Sequence, residues 1–294
     1  MTTRTLGTFN VSPIGYGAMP LSMGGNVRPD ERQAIATVHA ALDAGITLVD
    51  TADIYAPSFD SMGHNERLVA RALASWQGDA ASVVVATKGG ITRGEGETWG
   101  RNGTRDYLRS ALDASLIALD RDVIDLYYWH RPDRWIRYAD AVESLATFKS
   151  EGLITNIGIS NANVEEIQVA IDVLGEGGLA AVQNEFSPSF HHTSLPELEF
   201  CGDHGIAYVM WSPLGGTSGG AVKVGERFPE IAAVAISHGV SPQQVTLAWE
   251  LALGEHVIPI PGASRPASVT DSAAAMNLML DIDEIASISR AILR

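Results

Sequence analysis

The sequence predicts an α/β fold, a (β/α)8 TIM barrel preceded by a small N-terminal β-hairpin. Three observations carry that prediction. Eight short apolar runs recur along 294 residues, at Ile14–Gly17, Thr47–Asp50, Val83–Lys88, Ile124–His130, Thr155–Ser160, Ala180–Asn184, Ala207–Trp211 and Val257–Ile260. Helical stripes opened by capping residues and closed by glycine lie between them. Several of the runs end on a side chain able to do chemistry, which is where barrels carry their active groups. No GxGxxG opens a first βαβ unit, so an open dinucleotide-binding sheet fits less well.

Taken in order, Thr5–Ser12 alternates around Leu6, Phe9 and Val11 with a glycine between, the pattern of a hairpin that can plug one barrel end. After the first strand, Asp30 and Gln33 resemble a capping box, Ile35, Val38 and Leu42 form an apolar face, and Gly45 ends the helix. The unit then repeats. Thr104 can cap a helix carrying Leu108, Ala111, Leu112, Leu116 and Leu119. Asn163 with Glu166 starts a stripe of Val164, Ile167, Ile171 and Leu174, and Ser241, Pro242 and Gln244 supply N-cap, first-turn proline and N3 glutamine for another helix. Gly152, Gly175, Gly205, Gly239 and Gly254 follow helical patterns, and a last helix runs from about Asp283 to Leu293. No composition break marks a second domain, so residues 1–294 read as one barrel.

Composition narrows the functions. The chain is 46% hydrophobic and 19% charged, with 20 basic against 35 acidic residues, a formal charge of −15 and a pI near 4.8. That balance argues against nucleic acid or an anionic membrane as partner and leaves a small-molecule substrate as the expectation. Cys201 is the only cysteine, which excludes an intramolecular disulfide and a multi-cysteine zinc site and suits a reducing cytoplasm. His191, His192 and His204 have no acid or thiol at convincing ligand spacing, so no metal is expected. The N-terminus lacks an apolar signal core, and the composition leaves the oligomeric state open.

The chemistry gathers at strand ends. LVDTADIY delivers Asp50 and Tyr55, VVVATK ends on Lys88 and IDLYYWH ends on His130. An acid, a phenol, an ammonium and an imidazole suffice to move a proton to a carbonyl oxygen. Each has a plain structural explanation when taken singly. Lys88 is the hardest to explain that way, because a lysine closing an apolar strand needs a buried partner, and Asp50 can serve. PLGGTSGG at 213–220 can bring backbone N–H groups to a pyrophosphate or can be a mere connection.

These stretches resemble the aldo-keto reductases. The match runs through DTADIY, ATK, YWH, GISN at 158–161, QNE at 183–185, WSPLG at 211–215 and IPIPGASRP at 258–266, in order. The resemblance implies a barrel that holds extended NADPH or NADP+ and reduces aldehydes or ketones to alcohols. It implies Tyr55 as proton donor, Lys88 as the cation favouring tyrosinate, Asp50 as its partner and His130 as the group orienting the carbonyl. It further implies Ser160, Asn161 and Gln183 on the nicotinamide carboxamide and Trp211 stacked on its ring. Ala18, Met19 and Asp50 would wall the cofactor site, Ser212, Pro213, Leu214, Gly215 and Gly262 would follow the cofactor outward, and Ser264, Arg265 and Ser268 would meet the 2′-phosphate. Many relatives carry Glu-Asn near the adenine where this chain has Asp271–Ser272, which implies altered contacts there.

Two other readings stay open. Potassium-channel β subunits resemble the same family and keep the cofactor site, so a cofactor-binding regulatory subunit is the alternative; the complete tetrad favours an enzyme. A lyase using Lys88 as a Schiff-base nucleophile is opposed by Asp50, which favours a charged lysine. Around the site, Trp99, Trp129, Trp135 and Phe59 suggest an apolar mouth, and Arg131 and Arg134 suggest anion contacts.

Overall fold

The computed structural model describes residues 2–23, 28–216 and 219–293. Its centre is a set of parallel strands, here β3 (Tyr16–Gly17), β4 (Leu48–Asp50), β5 (Val84–Gly89), β8 (Ile124–Trp129), β9 (Ile154–Ser160), β10 (Leu179–Glu185), β11 (Ala207–Trp211) and β12 (Val257–Pro259). Each pairs with the next in that order. The ring closes where Gly15 N donates to Pro259 O at 2.9 Å and Gly17 N to Pro261 O at 3.2 Å, with a parallel bridge between Gly17 and Gly262. All eight expected strands are present, with no end shifted by more than two residues.

Alternation along each strand builds two cores. Leu48, Val84, Ala86, Leu126, Tyr128, Ala181, Val209 and Ile258 fill the barrel interior. Val49, Val85, Tyr127, Ile157, Val182, Tyr208 and Val257 face the helices instead. Tyr128 crosses the interior so closely to β9 that a Cβ on Gly158 would lie 2.3 Å from its ring; only glycine fits there. The hairpin of β1 (Arg4–Leu6) and β2 (Phe9–Val11) seals the end away from the site, with Leu6 and Val11 in the interior core. Asn156 at the base of β9 holds it, accepting from Thr8 N at 3.2 Å and donating to Thr8 Oγ1 at 3.0 Å.

The helices that wrap the barrel are α1 (Glu31–Asp43), α2 (His64–Ser75), α3 (Arg105–Leu119), α4 (Tyr138–Ser150), α5 (Val164–Leu174), α6 (Leu195–Asp203), α7 (Gly220–Arg227), α8 (Pro229–His238), α9 (Pro242–Leu251), α10 (Pro266–Ala274) and α11 (Ile282–Ile292). The caps at Asp30, Asn163 and Ser241 form as the sequence indicates, the side chain of each accepting from the N3 backbone N–H. Thr104 differs. It precedes α3 in extended conformation, but its hydroxyl donates to Asn102 Oδ1 at 2.7 Å and gives α3 no side-chain cap.

A second hairpin, β6 (Ile91–Gly94) with β7 (Thr98–Arg101), stands at the barrel mouth and was not legible in the sequence. Its strands are short and mostly polar, β7 exposed throughout and β6 half-buried after Ile91, so they lack the apolar alternation that betrays a strand. Arg93 ties it to the loop carrying Tyr55, donating Nη1 to Ala56 O at 2.8 Å and to Ile54 O at 3.3 Å.

Candidate active site

The alternation that fills the interior also aims the reactive groups. Leu48 points inward, so Asp50 does too; Val84 and Ala86 are followed by Lys88, Tyr128 by His130, Ala181 by Gln183 and Val209 by Trp211. Each lies within two residues of the C-terminal end of its strand or just beyond it. They converge on a cavity of about 400 Å3 at the C-terminal end of the barrel, whose lining includes Asp50, Tyr55, His130, Ser160, Gln183 and Trp211.

Lys88 lies beneath that lining and is fully buried. Its ammonium donates to Asp50 Oδ1 at 2.5 Å and to Thr51 O at 2.8 Å, and it stands 5.2 Å from the centroid of the Tyr55 ring. Burial pulls Lys88 toward neutrality, but Asp50 and Tyr55 outweigh it and leave the lysine above its ordinary range, hence charged. Gln183 Nε2 donates to the other oxygen of Asp50 at 2.8 Å, so both carboxylate oxygens are engaged.

Tyr55 meets His130 edge to face, with ring centroids 5.8 Å apart and planes at 82°. Burial raises the Tyr55 phenol, Lys88 opposes that rise and Asp50 adds to it, so the phenol keeps its proton past its usual range. Burial, Lys88 and Arg131 together hold His130 well below the ordinary imidazole value, so the ring is neutral at physiological pH. Its Nδ1 is buried without a hydrogen-bond partner among the described residues.

The amide wall sits on strained backbone. Asn161 and Ser212, following β9 and β11, line the cavity with φ of 59° and 55°, values that non-glycine residues seldom adopt. Asn161 is held there by its own N–H to Gln183 O at 3.0 Å and by its amide donating to His130 O at 3.1 Å. Ser160 Oγ donates to Gln183 O at 2.7 Å. The wall is thus braced by the protein's own hydrogen bonds.

Other expected contacts divide. Met19, Pro213, Leu214 and Gly262 line the cavity; Ala18 does not, its backbone N–H donating to Asp50 O and its carbonyl accepting from Asn65, so Gly17 and Met19 on either side form that wall. Gly215 and Gly216 take positive φ in the loop after β11, as a backbone cradle requires, while Thr217 and Ser218 of that loop lie outside the described residues. Ser264, Arg265 and Ser268 gather at the start of α10, where the exposed Arg265 donates to Ser268 Oγ at 3.2 Å. Asp271 is occupied: it accepts from Ser241 at 2.7 Å and Gln244 at 2.6 Å, which joins α10 to α9. An adenine contact there would compete with both bonds.

The apolar mouth is smaller than expected. Trp129 is buried in the core against Tyr138, and Trp135 is 95% exposed away from the cavity; Trp99, on β7, packs under Arg93 at the rim. Phe59 is half-buried in a short helical turn. Arg134 is ion-paired with Glu166, whereas Arg131 does line the cavity. Asn65 was missed. Fully buried, it donates to Ala18 O at 2.9 Å and Ser22 Oγ at 2.7 Å and accepts from Thr51 at 2.6 Å, fixing the loops after β3 and β4.

The closed parallel barrel thus holds a buried ammonium–carboxylate pair under a phenol and an imidazole, groups able to carry out acid–base chemistry. Comparison with known proteins agrees. The model of the aldo/keto reductase family matches residues 13–292, and the chain belongs to that family. Among its relatives, a 6-dehydroglucose reductase of Novosphingobium aromaticivorans is 34% identical over 91% of this chain and 87% of its own length. A probable aldo-keto reductase of Glycine max is 31% identical over 98% of this chain and 88% of its own. Among solved structures, an aldo/keto reductase from Klebsiella pneumoniae in complex with NADP and acetate superposes with a TM-score of 0.80 at 26% identity, covering 99% of this chain and 96% of that one. Among the described residues no helix is long and apolar enough to cross a membrane.

Proposed function

We propose that this chain reduces aldehydes or ketones to alcohols with NADPH, reversibly, with Tyr55 as the proton donor. The observation that carries the reading is the buried Lys88–Asp50 pair set beneath Tyr55 and beside His130. NADPH is favoured by the solved relative with NADP and by the lining itself, in which Asn161, Ser160 and Gln183 offer amide and hydroxyl groups suited to a carboxamide and Trp211 offers a flat face. When bound, the cofactor supplies hydride to the carbonyl carbon.

As that carbon is reduced, charge grows on the carbonyl oxygen, and a donor must already stand beside it. Tyr55 gives up its O–H there. The adjacent Lys88 cation stabilises the tyrosinate left behind, and Asp50 keeps Lys88 charged against its burial. His130, being neutral, directs the oxygen by a hydrogen bond without competing as an acid. In the reverse direction tyrosinate recovers the proton from the alcohol. Arg265 and Ser268, beside the positive end of α10, would receive the 2′-phosphate. Following NADPH oxidation with a panel of aldehydes and ketones tests the reading; a chain that binds NADPH and turns over none of them would instead be the cofactor-binding regulatory subunit.

A further inference from the structure

We infer that the preferred carbonyl substrates carry a carboxylate, which Arg131 receives at the wall of the cavity; the inference rests on the reductase reading above. Arg131 follows His130 directly, so whatever reaches its guanidinium is anchored next to the group that orients the carbonyl. The side chain is half-buried and approaches Trp211, with the guanidinium 5.9 Å from the ring centroid. Among the described residues it makes no hydrogen bond and has no carboxylate within 4 Å, unlike the part-buried Arg93 and Arg121, each ion-paired with an acid.

Its surroundings are more cationic than the chain as a whole. Arg101 on β7 approaches from the rim, positioned by its own bond from Nη1 to Pro132 O at 3.1 Å, and the two arginines share a shallow depression with Ile91 and Trp99. That depression joins the main cavity through Ile91 and Arg131. Burial, followed by repulsion from Arg101, lowers Arg131, while Glu185 is near enough to oppose this in part. In a chain of formal charge −15, two guanidiniums meeting at a cavity mouth are a local exception. A half-desolvated cation without a partner is costly, and a carboxylate satisfies it through two parallel hydrogen bonds.

The test compares matched substrates with NADPH: glyoxylate with acetaldehyde, succinic semialdehyde with butanal, and adipic semialdehyde with hexanal. The wild type is expected to favour the carboxylated member of at least one pair in kcat/KM, and Arg131→Gln to cut that ratio by roughly 10- to 150-fold, the range of a charge-assisted hydrogen bond. Arg131→Lys should recover part of the ratio, because it restores the charge without the fork. Equal treatment of both series by the wild type, or equal losses in Arg131→Gln, would overturn the inference. So would a loss of NADPH affinity with the ratio unchanged, which would assign the guanidinium to the cofactor. Calorimetric titration of the NADP+-loaded protein with butanoate and butanamide reads the same site without turnover. Tighter binding of butanoate that disappears in Arg131→Gln supports the inference, and equal binding of the two overturns it. Failure to reduce any aldehyde while butanoate still binds through Arg131 would count against the reductase reading alone.

Discussion

The ammonium of Lys88 and the carboxylate of Asp50 lie 2.5 Å apart at the centre of the barrel mouth, with the lysine fully buried and the acid nearly so. A buried charge left alone costs several kcal/mol, so the burial of each residue depends on the other. Lys88→Met is therefore expected to be severe, and adding Asp50→Asn to it to cost little more. Single- and double-variant kcat/KM values check this; fully multiplicative losses would show independent roles.

The pH profile follows from the same surroundings. His130 is held well below its ordinary value, chiefly by burial, and Tyr55 is pushed above 10.0, again chiefly by burial. The imidazole is then already neutral, and the phenol still protonated, across the neutral range. Carbonyl reduction should stay flat from about pH 6.5 to about pH 9, with its alkaline fall set by loss of the Tyr55 proton. An inflection near pH 6.5 that disappears in His130→Asn would contradict this assignment.

Cofactor preference should rest on Arg265. A hydrogen bond to a charged group contributes about 1.5–3 kcal/mol, so Arg265→Ala should weaken NADPH binding by roughly 10- to 150-fold and barely change NADH binding. Because Arg265 is exposed, the measurement belongs at fixed low salt. Equal losses for both cofactors would make Arg265 a support of α10 and not a reader of the phosphate.

Glu250 offers a test away from the site. It is fully buried in α9, neither carboxylate oxygen has a hydrogen-bond partner among the described residues, and burial raises it well above 4.5. Between about 4.5 and that raised value the folded protein holds a proton that the unfolded chain has released, so stability falls as pH rises, by up to about 1.4 kcal/mol per pH unit. Glu250→Gln removes this dependence. Its Tm should exceed the wild-type value at pH 7 and the gap should close toward pH 4.5; a wild type that stays more stable at neutral pH would contradict the account.

Much of this was legible in the sequence because it follows from period-two alternation. Once VVVATK is read as a strand with Ala86 inward, Lys88 must also point inward, and the same step places Asp50, Gln183 and Trp211. What alternation does not govern was hidden. The β6–β7 hairpin is solvated and polar, and Trp129 looked like a rim aromatic because WH ends a strand, although its parity with Tyr127 sends it outward into the helix layer. Asn65 opens a helix among polar neighbours, and nothing local marks it as buried. Asp271 could be placed near the cofactor by order along the chain, but its bonds to Ser241 and Gln244 appear only when α9 and α10 are packed together.

The central claim is that Tyr55 is the proton donor, and Tyr55→Phe tests it most directly. The substitution keeps the ring that faces His130 and removes only the hydroxyl above Lys88. Single-turnover oxidation of NADPH by an aldehyde, with NADPH affinity titrated alongside, separates chemistry from binding. The account predicts a rate reduced at least 100-fold, the lower range of general acid catalysis, with the NADPH Kd within about 3-fold of wild type. A Phe variant that reduces the aldehyde at a comparable rate would contradict it.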